Sequence, residues 1–140
     1  MKKIILIRHA ESKTNTGKLF LDKDIIRLSE KGRRESFGLS ERITKPDRLI
    51  LSKYIRTIET AEPIYDKFPE TEVHLWYDLH EFDYINPKNL IDLDCDDRKN
   101  IEQNYWQKLD PFIKNDIGRE NFKEFVDRAI RIIYKLQKIN

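Results

Sequence analysis

The 140-residue sequence has a single cysteine and no apolar stretch near the roughly 20 residues that cross a bilayer. One cysteine excludes an internal disulfide, and Cys95 lies among Asp92, Asp94, Asp96 and Asp97, whose negative charge disfavours the thiolate. It is not expected to act as a nucleophile. Lys2 and Lys3 followed by Ile4 to Ile7 imitate an export signal, yet the run stops at Arg8, short of the roughly 7 to 15 apolar residues such a segment needs. The positive residues are spaced singly rather than in blocks, so no nucleic-acid tract is indicated. The Asp92, Asp94, Asp96 series begins like a calcium loop but has Asp97 at the sharp-turn glycine position and Gln103 at the bidentate glutamate position. It reads as a solvated acidic loop without metal. Internal repeats and low-complexity linkers are also absent. These absences together describe a soluble, cytoplasmic protein with no metal, no membrane and no nucleic-acid partner.

What is present suits one domain over residues 1–140, with 39% hydrophobic residues for a core and 37% charged residues for a solvated surface. The charge is uneven. Residues 1–60 carry 15 Lys and Arg against 8 Asp and Glu, whereas residues 61–140 carry 12 against 17. An anionic ligand is drawn to the first half.

Ile4 to Ile7 read as a strand buried on both faces that delivers Arg8 and His9 to its carboxyl end, where ligands bind in open α/β sheets. Residues 17–27 show no period and read as loop. Ser29 is a helix cap, with a helical pattern through Phe37, Leu39 and Ile43 that Pro46 closes. Leu49 to Leu51 form a second short strand closed by Ser52, itself read as a strand-end cap. A helix follows over residues 56–68, with Ile58, Ala61, Ile64, Tyr65 and Phe68 on one face and a bend expected at Pro63. Val73 to Trp76 suit a third strand, in which His74 is an ordinary strand residue. Residues 83–118 are irregular, with a short helix over 97–109, and a segment of that length between core elements suggests a cap over a site. Residues 119–138 carry apolar side chains at helical spacing, which predicts an amphipathic helix. The order predicts an α/β fold with a mainly parallel sheet flanked by helices.

Two strand ends that deliver Arg8 and Arg56, with His9 and Asn15, would surround one phosphate. Arginine suits that task because its planar fork donates paired hydrogen bonds to phosphate oxygens and stays charged. A neutral imidazole nitrogen can also attack phosphorus and become phosphorylated.

The chain here resembles a known family. Leu6-Ile7-Arg8-His9-Ala10-Glu11-Ser12 with Asn15, Leu28-Ser29-Glu30-Lys31-Gly32-Arg33-Arg34, the run Ser52 to Ala61 containing Arg56-Thr57, and Glu81-Phe82 are similar in order and spacing to the histidine phosphatase superfamily, which includes phosphoglycerate mutases. The resemblance implies a phosphoglycerate mutase-like sandwich and a phosphohistidine mechanism needing no cofactor. His9 would be the nucleophile, Arg8, Asn15 and Arg56 the phosphate ligands, and Glu81 the acid that protonates the leaving oxygen. Glu81 is expected to be partly buried, since burial raises a carboxyl pKa toward the value a general acid needs. His80, its neighbour on an extended segment, should face away. Ala10 stands where many members of the family have glycine.

The family's second histidine lies at the end of a strand after the helix that matches residues 119–138. No histidine follows His80 here, so the chain is expected to lack the last strand and one donor to the transferring phosphoryl group. Loss of such a donor typically costs on the order of a hundred- to a thousandfold in rate. The implied function is a phosphomonoesterase acting on a phosphorylated small molecule or phosphoprotein. The alternative is a truncated pseudo-enzyme that binds phosphate or a partner. A sheet edge left bare would favour a homo-oligomer.

Overall fold

Ser29 decides where the first helix begins. Its side chain accepts the Gly32 N–H at 3.0 Å, and α1 runs Glu30–Arg42 in the computed structural model. Residues 3–16, 23–86, 89, 93–115 and 119–139 are described, and the chain divides into two units, Met1–Tyr77 and Asp78–Asn140. In the first unit α1 is followed by β1 (Arg48–Leu51), α2 (Ile55–Lys67) and β2 (Glu72–Leu75). The two strands pair in parallel, with Arg48 opposite Glu72 and Leu51 opposite Leu75. The element order and the parallel pairing are those of an α/β fold, as expected.

Pro63 sits inside α2 without ending it. Proline has no N–H to give the carbonyl one turn earlier, that of Glu59. A neighbouring helix supplies the replacement. Ser36 Oγ on α1, almost wholly buried, lies 3.2 Å from the Glu59 carbonyl and 3.0 Å from that of Thr60. Its hydroxyl satisfies a carbonyl that the proline leaves without its helical donor.

In the first unit two expectations need correction. Ile4 to Ile7 are not a buried strand: the segment enters no ladder, and its four side chains are 44–86% exposed. An apolar run becomes a strand only where another strand supplies backbone partners, and β1 and β2 pair with each other. The inward face of α2 also differs from the apolar stripe expected. Its buried residues are Arg56, Glu59, Thr60, Ala61 and Ile64, while Tyr65 is exposed. The helix is oriented by its polar contacts as much as by apolar burial.

The second unit holds α3 (Cys95–Gln107) and α4 (Phe122–Lys138). The acidic run is not simply a solvated loop. Asp94 caps α3, accepting the N–H groups of Asp96 at 2.9 Å and Asp97 at 2.8 Å, and both acids sit where the helix dipole favours negative charge. Asp92 lies outside the described residues. α4 starts later than its apolar period suggests because Asn121 and Glu124 form a reciprocal capping box. The rings of Phe82, Tyr84, Tyr105, Trp106, Phe122 and Phe125 pack with centroid separations of 4.8–6.1 Å, Phe82 stacked on Tyr84 and the other pairs tilted or edge-on. The described residues of this unit are therefore joined by rings rather than by backbone ladders. Ile130 and Ile133, which lie on the apolar stripe of α4, and Tyr134 are exposed. Among the described residues no helix is long and apolar enough to cross a membrane.

Candidate active site

His9 is half-buried, and its Nδ1 lies 2.7 Å from the Ala10 carbonyl oxygen. A carbonyl only accepts, so Nδ1 carries the hydrogen and the neutral ring keeps its lone pair on Nε2. The turn that follows is tied to α2. The Ala10 N–H donates to Thr60 Oγ1 at 3.1 Å, and that hydroxyl donates in turn to the Arg56 carbonyl at 2.6 Å. The segment carrying Arg8 and His9 is thereby bonded to the helix that carries Arg56, one turn from it.

Arg56 itself is 3% exposed, donates through Nη1 to the Lys23 carbonyl at 2.8 Å, and lies 4.1 Å over the Tyr54 ring. α2 is capped at Tyr54 without a side-chain hydrogen bond and has no acid in its first turn, while the Asp24 carbonyl accepts the Ile55 N–H at 2.9 Å and the Asp24 carboxylate pairs with Lys53 at 2.6 Å. Ser52 behaves as the end-of-strand cap expected of it: its Oγ accepts the Tyr54 N–H at 3.3 Å and lies 2.8 Å from Thr57 Oγ1. Arg8 is exposed. Asn15 belongs to the 3₁₀ turn Lys13–Thr16, and its side chain lies outside the described part of the structure.

The residues after His9 are held from a second direction by α1. Ser29 donates its hydroxyl to Glu11 Oε1 at 2.6 Å and its N–H to the Glu11 carbonyl at 2.9 Å, while Lys31 Nζ lies 3.0 Å from Glu11 Oε2. The Ser29 hydroxyl first, and Lys31 second, hold the Glu11 carboxyl below its ordinary pKa. The same pairing raises Lys31. Ser12 bridges Leu28, and Lys13 donates its N–H to the Arg27 carbonyl at 3.0 Å. Gly32 permits the approach, because a Cβ built there would stand 2.0 Å from the Glu11 carbonyl oxygen. The motif Leu28 to Arg34 therefore has a visible task, which is to dock the chain just past His9.

Sequence reasoning missed Glu59. Its side chain, 4% exposed, accepts the Leu28 N–H at 2.7 Å and pairs with Arg27 at 2.7 Å and Arg33 at 3.4 Å. The available signal was its spacing of three from Arg56, which puts both on one face of α2. Glu81 belongs to the second unit, and its side chain is exposed there rather than partly buried as expected. His80 Nδ1 lies 2.8 Å from the Glu81 carbonyl. Among the described residues no group of three or more His, Cys, Asp or Glu side chains is placed to hold a metal ion.

Comparison with known proteins gives three findings. The profile of the histidine phosphatase superfamily (branch 1) matches residues 4–140. Phosphoglycerate mutase 1 of Saccharomyces cerevisiae is 31% identical over 102 residues, which is 70% of this chain and 40% of the yeast protein. Among solved structures, the α-ribazole phosphatase of Shigella flexneri is similar with a TM-score of 0.68 at 20% identity, covering 94% of this chain and 65% of that one. The mycobacterial glucosyl-3-phosphoglycerate phosphatase is similar with a TM-score of 0.64 at 18% identity, covering 91% and 60%. The chain thus spans less than two thirds of the length of each of these relatives, and at such identities the two structures speak for the fold.

Proposed function

This chain belongs to the histidine phosphatase superfamily, and on that premise we propose that it is a cytoplasmic phosphomonoester hydrolase working through phospho-His9. The observation that carries the reading is the His9 ring: its Nδ1 hydrogen is committed to the Ala10 carbonyl, which puts the nucleophilic lone pair on Nε2. In the first step Nε2 attacks phosphorus, the bond from phosphorus to the ester oxygen breaks, and the leaving oxygen takes a proton from the Glu81 carboxyl. In the second, water attacks phospho-His9, gives its proton to Glu81 and releases inorganic phosphate. Arg8 and Arg56 neutralise the phosphoryl oxygens, and Asn15 orients them through its amide N–H. The nucleophile is a side chain rather than a metal-bound water, so the chemistry calls on no cofactor. The substrate class is a phosphorylated small molecule or phosphoprotein. Phosphatase and mutase share the first step and differ in whether water or a second hydroxyl accepts the phosphoryl group. The names of the two structural relatives favour water, and that of the yeast relative favours the second hydroxyl.

The reading is tested by hydrolysis of 4-nitrophenyl phosphate in excess EDTA by the chain and by His9→Ala. Turnover in the first that is lost at least about a thousandfold in the second is the expected result. Equal turnover in both would overturn the assignment of His9.

A second reading, a protein that binds phosphate without turnover, is favoured by the exposure of Glu81, since a general acid is ordinarily sheltered from water. It predicts that inorganic phosphate raises the melting temperature while neither protein hydrolyses the ester.

A further inference from the structure

Arg128 is the one buried residue of α4, its side chain 7% exposed. Burying a guanidinium is costly unless every donor finds a partner, and here all five do. Nε donates to Glu120 Oε2 at 3.0 Å. Nη1 donates to the Asp78 carbonyl at 2.6 Å and the His80 carbonyl at 3.0 Å, and Nη2 to the Glu81 carbonyl at 3.4 Å and to Glu120 Oε1. Three of the five bonds thus go to the backbone of one short segment.

Glu120 grips the same segment from its far end. Its Oε1 accepts the Asp83 N–H at 3.1 Å, and its own N–H donates to the Asp83 carbonyl at 3.2 Å. Arg119 pairs with the Asp83 carboxylate. The backbone is therefore held at 78, 80, 81 and 83, on both sides of the Glu81 Cα, while the Glu81 side chain stays exposed. A segment with no ladder of its own is thus held by Arg128 and its carboxylate partner at 78–81, and by Glu120 and Arg119 at 83. An apolar residue at 128 could pack against the Phe125 ring, which lies 5.3 Å from the guanidinium, but it could not receive three carbonyls.

We propose that Arg128 is a positioning residue that sets the backbone of residues 78–83 and, through it, the carboxyl of Glu81. The catalytic half of this statement rests on the reading of Glu81 as the general acid given above. The clamp itself does not.

The test is Arg128→Lys, which keeps the charge opposite Glu120 and loses the fork. Amide hydrogen exchange is compared residue by residue with the wild type. The expected result is exchange faster by about tenfold or more at residues 79–83, the equivalent of at least one net hydrogen bond, with α3 and α4 little changed. Unchanged exchange at 79–83 overturns the clamp. So does equal acceleration throughout α3 and α4, because Arg128 would then merely hold the unit together. Should that variant not fold, Glu120→Gln keeps the shape and weakens the same grip, and it should show the same local pattern to a smaller degree; no local acceleration there overturns the clamp.

The second readout is leaving-group dependence. A displaced proton donor matters for an alkoxide and little for 4-nitrophenolate. R128K should therefore lose about ten- to a hundredfold on an alkyl phosphate, a share of what a general acid usually contributes, and under about threefold on 4-nitrophenyl phosphate. Equal loss on both overturns the positioning role. Absence of turnover in the wild type counts against the phosphatase reading alone, and the exchange measurement then still decides the clamp.

Discussion

Among the described residues, the buried side chains of the first unit are mostly polar: Ser12, Ser36, Ser40, Ser52, Arg56, Glu59, Thr60 and Thr71, beside Ile26, Leu28, Tyr54, Ala61, Ile64 and Trp76. The second unit is joined by rings, with Phe82 in contact with Tyr84, Tyr105, Trp106, Phe122 and Phe125. Hydrogen bonds are directional and expensive to leave half-made, whereas ring packing is governed by volume and tolerates reorientation. The first unit should thus be intolerant of a lost or displaced partner, and the second of lost volume. The proposed nucleophile lies in the directional unit, where a turn must be held to a fraction of an ångström. The irregular segment lies in the unit built of rings, with Arg128 as its directional exception.

The sharpest test of this contrast uses two glycines of one helix. Gly32→Ala drives a Cβ into the Glu11 carbonyl, while Gly38→Ala meets nothing within 4 Å. Gly32→Ala should cost about 3 kcal/mol, and Gly38→Ala should stabilise by about 0.5–1 kcal/mol through helix propensity. Denaturant midpoints of the two variants measure both. Comparable effects at the two positions would mean that α1 does not dock the chain past His9.

Next comes a pair that crosses the units. Glu59→Ala orphans the buried Leu28 N–H while Arg27 and Arg33 remain in water, which should cost about 2 kcal/mol. Phe82→Leu removes less from a cluster that can close around it and should cost about 1 kcal/mol. Hydrogen exchange resolved by unit would place the first loss before residue 77 and the second after it. A reversed order would break the comparison.

The smallest expected effect is a pH dependence. The Glu11 carboxyl is held below its ordinary value of 4.5, so the stability it contributes is present above that value and fades as pH falls through its lower folded-state pKa. Lys31 is raised above 10.5, so its contribution is present below that value and is lost as pH climbs through the raised one. Glu124 in the second unit, lowered first by Lys114 and then by the Asn121 N–H, shares the acid loss alone. Amide shifts followed across pH should therefore show residues 11–13 loosening at both extremes and residues 121–124 at the acid end. A first unit indifferent to alkali would remove Lys31 from the docking.

The elements that were legible in the sequence are those whose causes lie within a few residues. Ser29 at the head of a helical pattern favours a cap through its own side chain, and the apolar spacing of residues 122–138 is helical by itself. The motif around His9 could be read as a site because it is contiguous. Ile4 to Ile7 failed as a strand for the complementary reason, since their composition says what they could pair with but not whether a partner is there.

Local order and residue types thus determined four helices, two parallel strands, the family and the candidate nucleophile. Tertiary structure decided the rest: that α2 turns Arg56 and Glu59 inward, that Ser36 replaces the donor Pro63 lacks, that Gly32 makes room for Glu11, and that Arg128 grips the backbone at Glu81. Each of these joins residues far apart in the chain. Their energies depend on distance and direction in space, which spacing along a sequence does not encode.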